Sequence, residues 1–473
     1  MRSLLCLWLI LIPGLCLADG PREAAEMRAL LAELVAADTS NPPGNEVAAA
    51  RVAARWLKEA GIESELLEPS PGRGNLLARL KGKGAGRPVL VVAHLDTVPA
   101  VRAEWESDPW VLTEKNGLLY GRGVQDNKGM VAASVLALRR LKREGTPLSR
   151  DVVLYLGADE EVGSGQGLDW MLEHRPELRE AEFALNEGGL TELTRDRRRV
   201  LFVAVQAAER VSRNVVLRAK GPGGHSSAPP VEPGPLVRVA QAVARVGTLT
   251  FPARLTPATR LHVQGRAAVT PGELGQALRR IAAAPDAPAQ EDVDTVARLE
   301  PALGAVLRTT CVPTLFQAGT RPNVIPASAE ATLNCRLLPD DDARAVRERI
   351  VATIADPTLQ VDMDVSPPDS PMSPVGDNAL FRAVTSAAAR VWPGVPVIPR
   401  MSTGTTESAT LRRAGIHAYG IDLFALTPDD ARTAHAPGER IPVGSLQPGA
   451  EYVYLTLKHL AKEGATPKSA GSL

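Results

Sequence analysis

The chain has 473 residues, 44% of them hydrophobic and 23% charged. Lysine plus arginine and aspartate plus glutamate both number 54, so no net field draws it to nucleic acid or to an anionic membrane, and a peptide or small molecule is the expected partner. The length exceeds what one hydrophobic core usually organises, which predicts two domains or one domain with a large insertion.

Met1-Arg2-Ser3 and LLCLWLILIPGLCLA read as a secretory signal peptide over residues 1–18: one positive charge, a short apolar run broken by Pro13-Gly14, and small residues before Asp19. The run is too short and too interrupted for a stable membrane span. Export to the periplasm or the exterior follows, with a retained anchor as the alternative. Cys6 and Cys16 leave with this segment. Cys311 and Cys335 remain in two strand-like stretches, where a disulfide and a pair of buried thiols fit equally well.

The mature chain opens with apolar spacing typical of helices over Pro21–Asp38 and Val47–Ala60, separated by the turn Ser40-Asn41-Pro42-Pro43. Strands are predicted at Glu63–Leu67, Asn75–Leu80 and Val89–His94, then a helix at Gly129–Glu144, a strand at Val152–Gly157, a helix at Gly167–His174 and a strand at Phe183–Asn186. This alternation predicts an α/β sheet covered on both faces by helices, with chemistry beyond the carboxyl ends of the strands. From about Val211 the pattern changes to strand, helix at Pro235–Val246, a Pro/Ala-rich helical stretch over 252–307, strands Thr310–Ala318 and Ala329–Leu338, helix Asp341–Ala355 and strand Gln360–Ser366. That order reads as an inserted α+β domain over 211–367, left through PPDSPMSP. Residues 368–473 return to helix (Leu380–Val391), strand (Val397–Pro399), helix (Glu407–Ala414), strand (His417–Gly420) and helix (Pro448–Glu463), completing the first sheet begun by 19–210. GATPKSAGSL is read as a frayed tail.

Ligand-type residues recur along this frame. His94 and Asp96 leave a buried strand two residues apart, so one can bind a metal while the other steadies it. Asp126 follows in YGRGVQDNKGM, where glycines and a turn give a carboxylate reach. Glu160-Glu161 lie in ADEEVGSG, Glu187 in NEGG and His435 in TAHAPGER. Singly, each has an ordinary reading as a satisfied histidine or a solvated acid. As an ordered set of imidazoles and carboxylates they are what a pair of divalent metals needs. His174, His262 and His417 fall outside the set and are read as structural, and Trp105 and Trp110 as packing.

These motifs resemble, in order and spacing, those of the M20 family of dizinc peptidases and aminoacylases, over essentially the whole mature chain. The insert, with RTTCVPTLFQAGTRPNVIPASAEATLNCRLLPDD, is most similar to the carboxypeptidase S and N-acyl amino acid hydrolase branch. The resemblance implies a mixed-sheet catalytic domain with an inserted lid of the dimerisation type; a homodimer through that lid and a monomer supported by the enlarged insert are both open. It implies two divalent ions, most readily zinc, although cobalt and manganese share such ligands. Asp126 would bridge them, with His94 and Glu187 on one and Glu161 and His435 on the other. Glu160 would be the general base and Asp96 would orient His94. His225 of GGHSS would polarise the scissile carbonyl, in dimeric relatives across the subunit interface, and Asn323, Arg336 and Gly404 would hold the substrate carboxylate. The implied reaction is hydrolysis of a C-terminal peptide bond or of an N-acyl amino acid. An aminopeptidase or dipeptidase of the same fold and an inactive zinc-binding relative are the alternatives. Two positions depart from the family pattern: Glu407 stands where an aspartate is usual, and Ala436 replaces a glycine after His435.

Overall fold

The computed structural model describes residues 20–286, 288–366 and 370–462. The segment read above as a signal peptide, part of the PPDSPMSP exit and the C-terminal GATPKSAGSL lie outside the described residues. A ten-stranded mixed sheet forms the larger layer. Its order is Ser64–Leu67, Asn75–Leu80, Arg150–Gly157, Gly86–His94, Phe183–Asn186, His417–Gly420, Val200–Glu209, Leu190–Leu193 and Ala425–Leu426, with Val397–Ser402 pairing parallel to Val200–Glu209.

The strand Gly86–His94 shows why this layer is buried on both faces. Val89, Val91 and Ala93 enter one apolar cluster, shared with the helices Gly20–Ala36, Lys128–Arg143, Ala379–Val391 and Leu446–Lys462. Leu90 and Val92, pointing the other way, join Leu168, Met171, Leu411 and Ile416 in a second cluster. Alternating side chains of one continuous apolar run thus serve both layers, as in central strands with helices on each side.

The insert carries a four-stranded antiparallel sheet in the order Thr310–Ala318, Ser328–Leu337, Val211–Lys220 and Gln360–Met363. Pro235–Gly247 and Ala343–Ile354 cover it through a separate apolar cluster. Cys311 and Cys335 face each other across neighbouring strands and are joined by a disulfide, which resolves the alternative left open by the sequence. The helices Pro257–Val269, Gly272–Ala283, Gln290–Leu299 and Pro301–Ala305 do not pack on this small sheet. They form their own cluster with Ala208 and Met401 of the large one. His262 fixes the contact, its ring Nδ1 2.9 Å from the Pro399 carbonyl.

The main difference from the sequence-based expectation is Val200–Glu209, a ten-residue strand. Its run VLFVAVQAAE is almost wholly buried, and a continuous apolar run has no periodicity to announce a strand. Among the described residues no helix is long and apolar enough to cross a membrane.

Candidate metal centre and substrate cleft

Three adjacent strands of the large sheet, Arg150–Gly157, Gly86–His94 and Phe183–Asn186, end side by side. Their carboxyl ends deliver Glu160-Glu161, His94 and Glu187 to one place, as open α/β sheets do. Asp126 arrives from the turn before the helix Lys128–Arg143, and His435 from the loop before the strand Arg440–Pro442. The Asp126 turn depends on Gly123, whose φ is +84° and where a Cβ would come within 2.8 Å of Thr97 Cγ2. His435 itself adopts a left-handed φ of +62°, and Asp159, just before the glutamate pair, one of +68°. Non-glycine residues held there are uncommon and concentrate where geometry is functionally constrained.

Asp126 lies between the two histidines. Its Oδ1 is 2.8 Å from His94 Nε2 and its Oδ2 is 3.0 Å from His435 Nε2. His94 Nε2 is also 3.5 Å from Glu187 Oε2, and His435 Nε2 is 3.2 Å from Glu161 Oε2. Ligand atoms of His94, Asp126 and Glu161, and of His94, Glu160 and Glu187, each fall within 4.8 Å of one another. The groups overlap, so proximity alone does not divide the residues between two ions. The approaches of Asp126 to the two imidazoles do suggest a division, because each oxygen has its own histidine.

The supporting residues are buried and polar. Asp96 accepts hydrogen bonds from the Glu160 N–H (3.2 Å) and the Glu161 N–H (3.1 Å), while its Oδ1 stands 3.3 Å from His94 Nδ1. It therefore ties the histidine to the glutamate turn. Asn41 donates to both Asp96 (2.9 Å) and Asp159 (3.2 Å). Asn127 donates to Glu187 Oε2 at 2.7 Å. Glu439, fully buried, accepts from the N–H groups of Gly123 (2.9 Å), Gln125 (2.7 Å) and Asp126 (3.1 Å) and from Arg122 (2.8 Å).

Crowded carboxylates in little water show in their protonation. Burial, with the charge of Glu187 added, pushes the Glu160 carboxyl up to about 10. Burial and the charge of Asp126 likewise raise Glu187. Burial also works to raise Asp126, but hydrogen bonds from His435 and His94 hold it far below the carboxylate range. For His94, burial opposes protonation and the charge of Glu187 with the bond to Asp126 outweighs it, raising the ring. His435 is raised to about 10 by its bonds to Asp126 and Glu161. Oxygen and imidazole donors with an excess of negative charge suit divalent first-row cations, so the residues present fit a pair of such ions.

The cluster opens on a cleft of ≈ 580 Å³ lined by Asp126, Glu160, Glu161, Glu187 and His435, with Gly404 on its wall. The lid residues lie elsewhere. His225 is exposed on a two-residue strand paired with Val324, its Nδ1 2.7 Å from Ser227 Oγ. Asn323 lies beside the same turn, its carbonyl accepting the Ser226 N–H at 3.0 Å. Arg336, on the small sheet, donates to Asn334 Oδ1 at 3.1 Å. None of the three lines the cleft. Sequence reasoning singled out neither Asn41, Asn127 nor Glu439. The Glu439-Arg440 pair in TAHAPGER was the available signal for the last of these. Glu407 is buried at the start of the helix Glu407–Arg413, 3.4 Å from Ser164 Oγ, and burial with the charges of Glu187 and Asp96 pushes it up to about 8 against the pull of His94.

Residues 90–459 match the model of peptidase family M20/M25/M40. The chain is 28% identical over 388 residues to the N-fatty-acyl-amino acid synthase/hydrolase PM20D1 of Mus musculus, covering 78% of this chain and 73% of that one. In fold it is similar to the M20 family metallo-carboxypeptidase Sso-CP2 from Sulfolobus solfataricus, with a TM-score of 0.69 at 20% identity over 92% of this chain and 99% of that one. It is also similar to YXEP of Bacillus subtilis, a dinuclear metal binding peptidase, with a TM-score of 0.59 at 16% identity over 94% and 99% of the two chains. The strand ends, the acidic cluster and these matches lead to one conclusion: the chain belongs to peptidase family M20/M25/M40 and is a hydrolase of the M20 type.

Proposed function

We propose that this chain is an exported, zinc-dependent amidohydrolase that releases the amino acid from N-acyl amino acids or from the C-terminus of peptides. The observation that carries the reading is Asp126 placed between His94 and His435, one oxygen to each, with Glu160 at the same cleft. In this scheme Asp126, His94, Glu187, Glu161 and His435 would hold the pair of ions, Asp126 shared between them, His94 and Glu187 serving one and Glu161 and His435 the other. Residues 19–210 and 368–473 form the catalytic domain and 211–367 the lid. The name of the mouse relative supports the acyl amino acid class.

Bound zinc supplies an electrophile for the scissile carbonyl and brings the pKa of water toward about 7. The protein's residues do the rest. Glu160 takes the proton of the attacking water and hands it to the departing amine, the nearby cations favouring the ionised carboxylate that burial alone disfavours. Asp96 holds the His94 ring in orientation and, through the backbone of Glu160 and Glu161, holds the base in register with it. Gly404 presents backbone to the substrate. His225, Asn323 and Arg336 enter only by movement of the lid or from a second copy of the chain.

The test is amino acid release by zinc-loaded protein from blocked dipeptides, free dipeptides and N-fatty-acyl amino acids, with Glu160→Gln as control. The expected result is cleavage of blocked or acylated substrates, reduced about 10²- to 10⁴-fold in the control at unchanged zinc content. Cleavage confined to free-amine substrates would replace this reading with an aminopeptidase or dipeptidase. Silence across the panel would make the chain a zinc-binding relative without turnover.

A further inference from the structure

The charge distribution inside the cleft singles out a residue that the motifs do not contain. Among the described residues lining it, Arg400 is the only arginine or lysine, in a wall that also holds the acids of the cluster, His435, Gln125, Asn127, small residues and apolar side chains. Arg400 stands on the strand Val397–Ser402, in register with Gln206, and donates through Nη1 to the Gly189 carbonyl at 2.7 Å. Gly189 is two residues beyond Glu187, so the guanidinium is tethered to the loop that leaves the metal cluster. A guanidinium has five N–H donors. That tether is the only hydrogen bond Arg400 makes among the described residues, and no carboxylate there pairs with it.

The acids nearest to it in charge, Asp422, Glu300 and Glu192, make no hydrogen bond or ion pair with it among the described residues. Asp422 shares the cleft wall, but its Oδ1 accepts the Phe424 N–H at 3.0 Å. Glu300 is held in a two-pronged pair by Arg266, at 3.0 and 2.7 Å. Glu192 is a third electrostatic neighbour. A cation with donors to spare, fixed in a cleft of anions, is a receptor for an anionic group, and arginine's planar fork matches a carboxylate.

Taking the amidohydrolase reading of the cleft as its premise, we propose that Arg400 is a specificity-determining residue that receives the α-carboxylate of the amino acid being released. That carboxylate is the anionic group every substrate of the proposed class carries. Arg336, the arginine assigned this role by resemblance, is turned to Asn334 on the lid sheet and lines no part of the cleft.

The experiment compares wild type, Arg400→Gln, Arg400→Lys and Arg336→Gln on an N-acyl amino acid and on its carboxamide. Glutamine at 400 keeps a donor for the Gly189 carbonyl while removing the charge, and thermal melting checks that each variant is folded. The expected result is a KM for the acid raised about 10- to 100-fold in Arg400→Gln, with kcat nearly unchanged and partial recovery in Arg400→Lys. The carboxamide, lacking the charge, is handled alike by wild type and Arg400→Gln. Equal losses on acid and amide would overturn the proposal in favour of Arg400 as a support for the Gly189 loop. An unchanged KM on the acid would overturn it as well, and if Arg336→Gln then carried the effect the lid residue would hold the role. Failure of the wild type to cleave either substrate would strike the premise, not the assignment of Arg400.

Discussion

Replacing Glu439 with glutamine is the sharpest test of how the Asp126 turn is held. The carboxylate is fully buried and every partner is a donor: Oε2 takes Gly123 N–H and Arg122, Oε1 takes Gln125 N–H and Asp126 N–H. Burial raises this carboxyl against the pull of Arg122, but each of its hydrogen-bond partners is a donor, and only the ionised form accepts from all four. In Glu439→Gln the amide NH₂ must face one of these pairs of donors, whichever way it is turned. Breaking a buried charged pair in this way costs about 3–5 kcal/mol, a large share of the roughly 5–15 kcal/mol that holds most domains together. Because the same bonds place Asp126, the variant is expected to hold metal about 10- to 100-fold less tightly. Chemical denaturation gives the first quantity, and competition with a chelator of known affinity gives the second. A variant that unfolds at the wild-type midpoint and retains its metal would refute the reasoning.

Other outcomes follow from the same structure. Burial depresses the His262 ring to about 3 from its usual 6.5, so as pH falls below 6.5 the unfolded chain takes the proton first and stability drains away until about pH 3. Between pH 7.5 and 4.5 this amounts to about 3 kcal/mol, which His262→Gln should lack when urea midpoints are compared at the two pH values; equal acid losses would count against it. Cys311→Ser with Cys335→Ser opens a loop with a sequence separation of 24 and should destabilise the small sheet by about 3 kcal/mol, read by proteolysis of the lid at unchanged metal content. Metal uptake by chelated protein should release protons, because Glu160 and His435, both raised to about 10, hold them when no cation is bound. Calorimetry in buffers of different ionisation heat measures that release, and a buffer-independent heat would contradict it.

Much of this arrangement was legible in the sequence because its signals are local. The strand before His94 announces itself by an unbroken apolar run with a polar end, and the α+β order of the insert by alternation and turn residues. Val200–Glu209 was not legible, since burial on both faces erases the two-residue period that marks a half-exposed strand. Nor could composition say that the helices over 252–307 would pack on Ala208 and Met401 instead of on the small sheet, because that choice is made by surfaces brought together only in the fold. The site divides along the same line. His94, Asp126, Glu160, Glu161, Glu187 and His435 converge from motifs of recognisable spacing, whereas Asn41 and Asn127 matter only through neighbours distant in sequence. Arg400 sits in no motif, and its setting becomes visible only when the cleft's lining is assembled.

The spread of the cluster along the chain also bears on synthesis. His94, Asp126, Glu160, Glu161 and Glu187 emerge early, but His435 and the Glu439 that anchors the Asp126 turn come more than 300 residues after Asp126. In the scheme proposed above, a ribosome-bound chain would therefore carry every ligand but His435 long before the site could close. In that scheme docking of the segment around His435 and Glu439 would supply the missing imidazole and lock the Asp126 turn, so full metal affinity would belong to the folded molecule. A cation that binds the finished fold and not its precursors stabilises that fold by mass action, and metal occupancy becomes a readout of whether the two ends of the polypeptide have met.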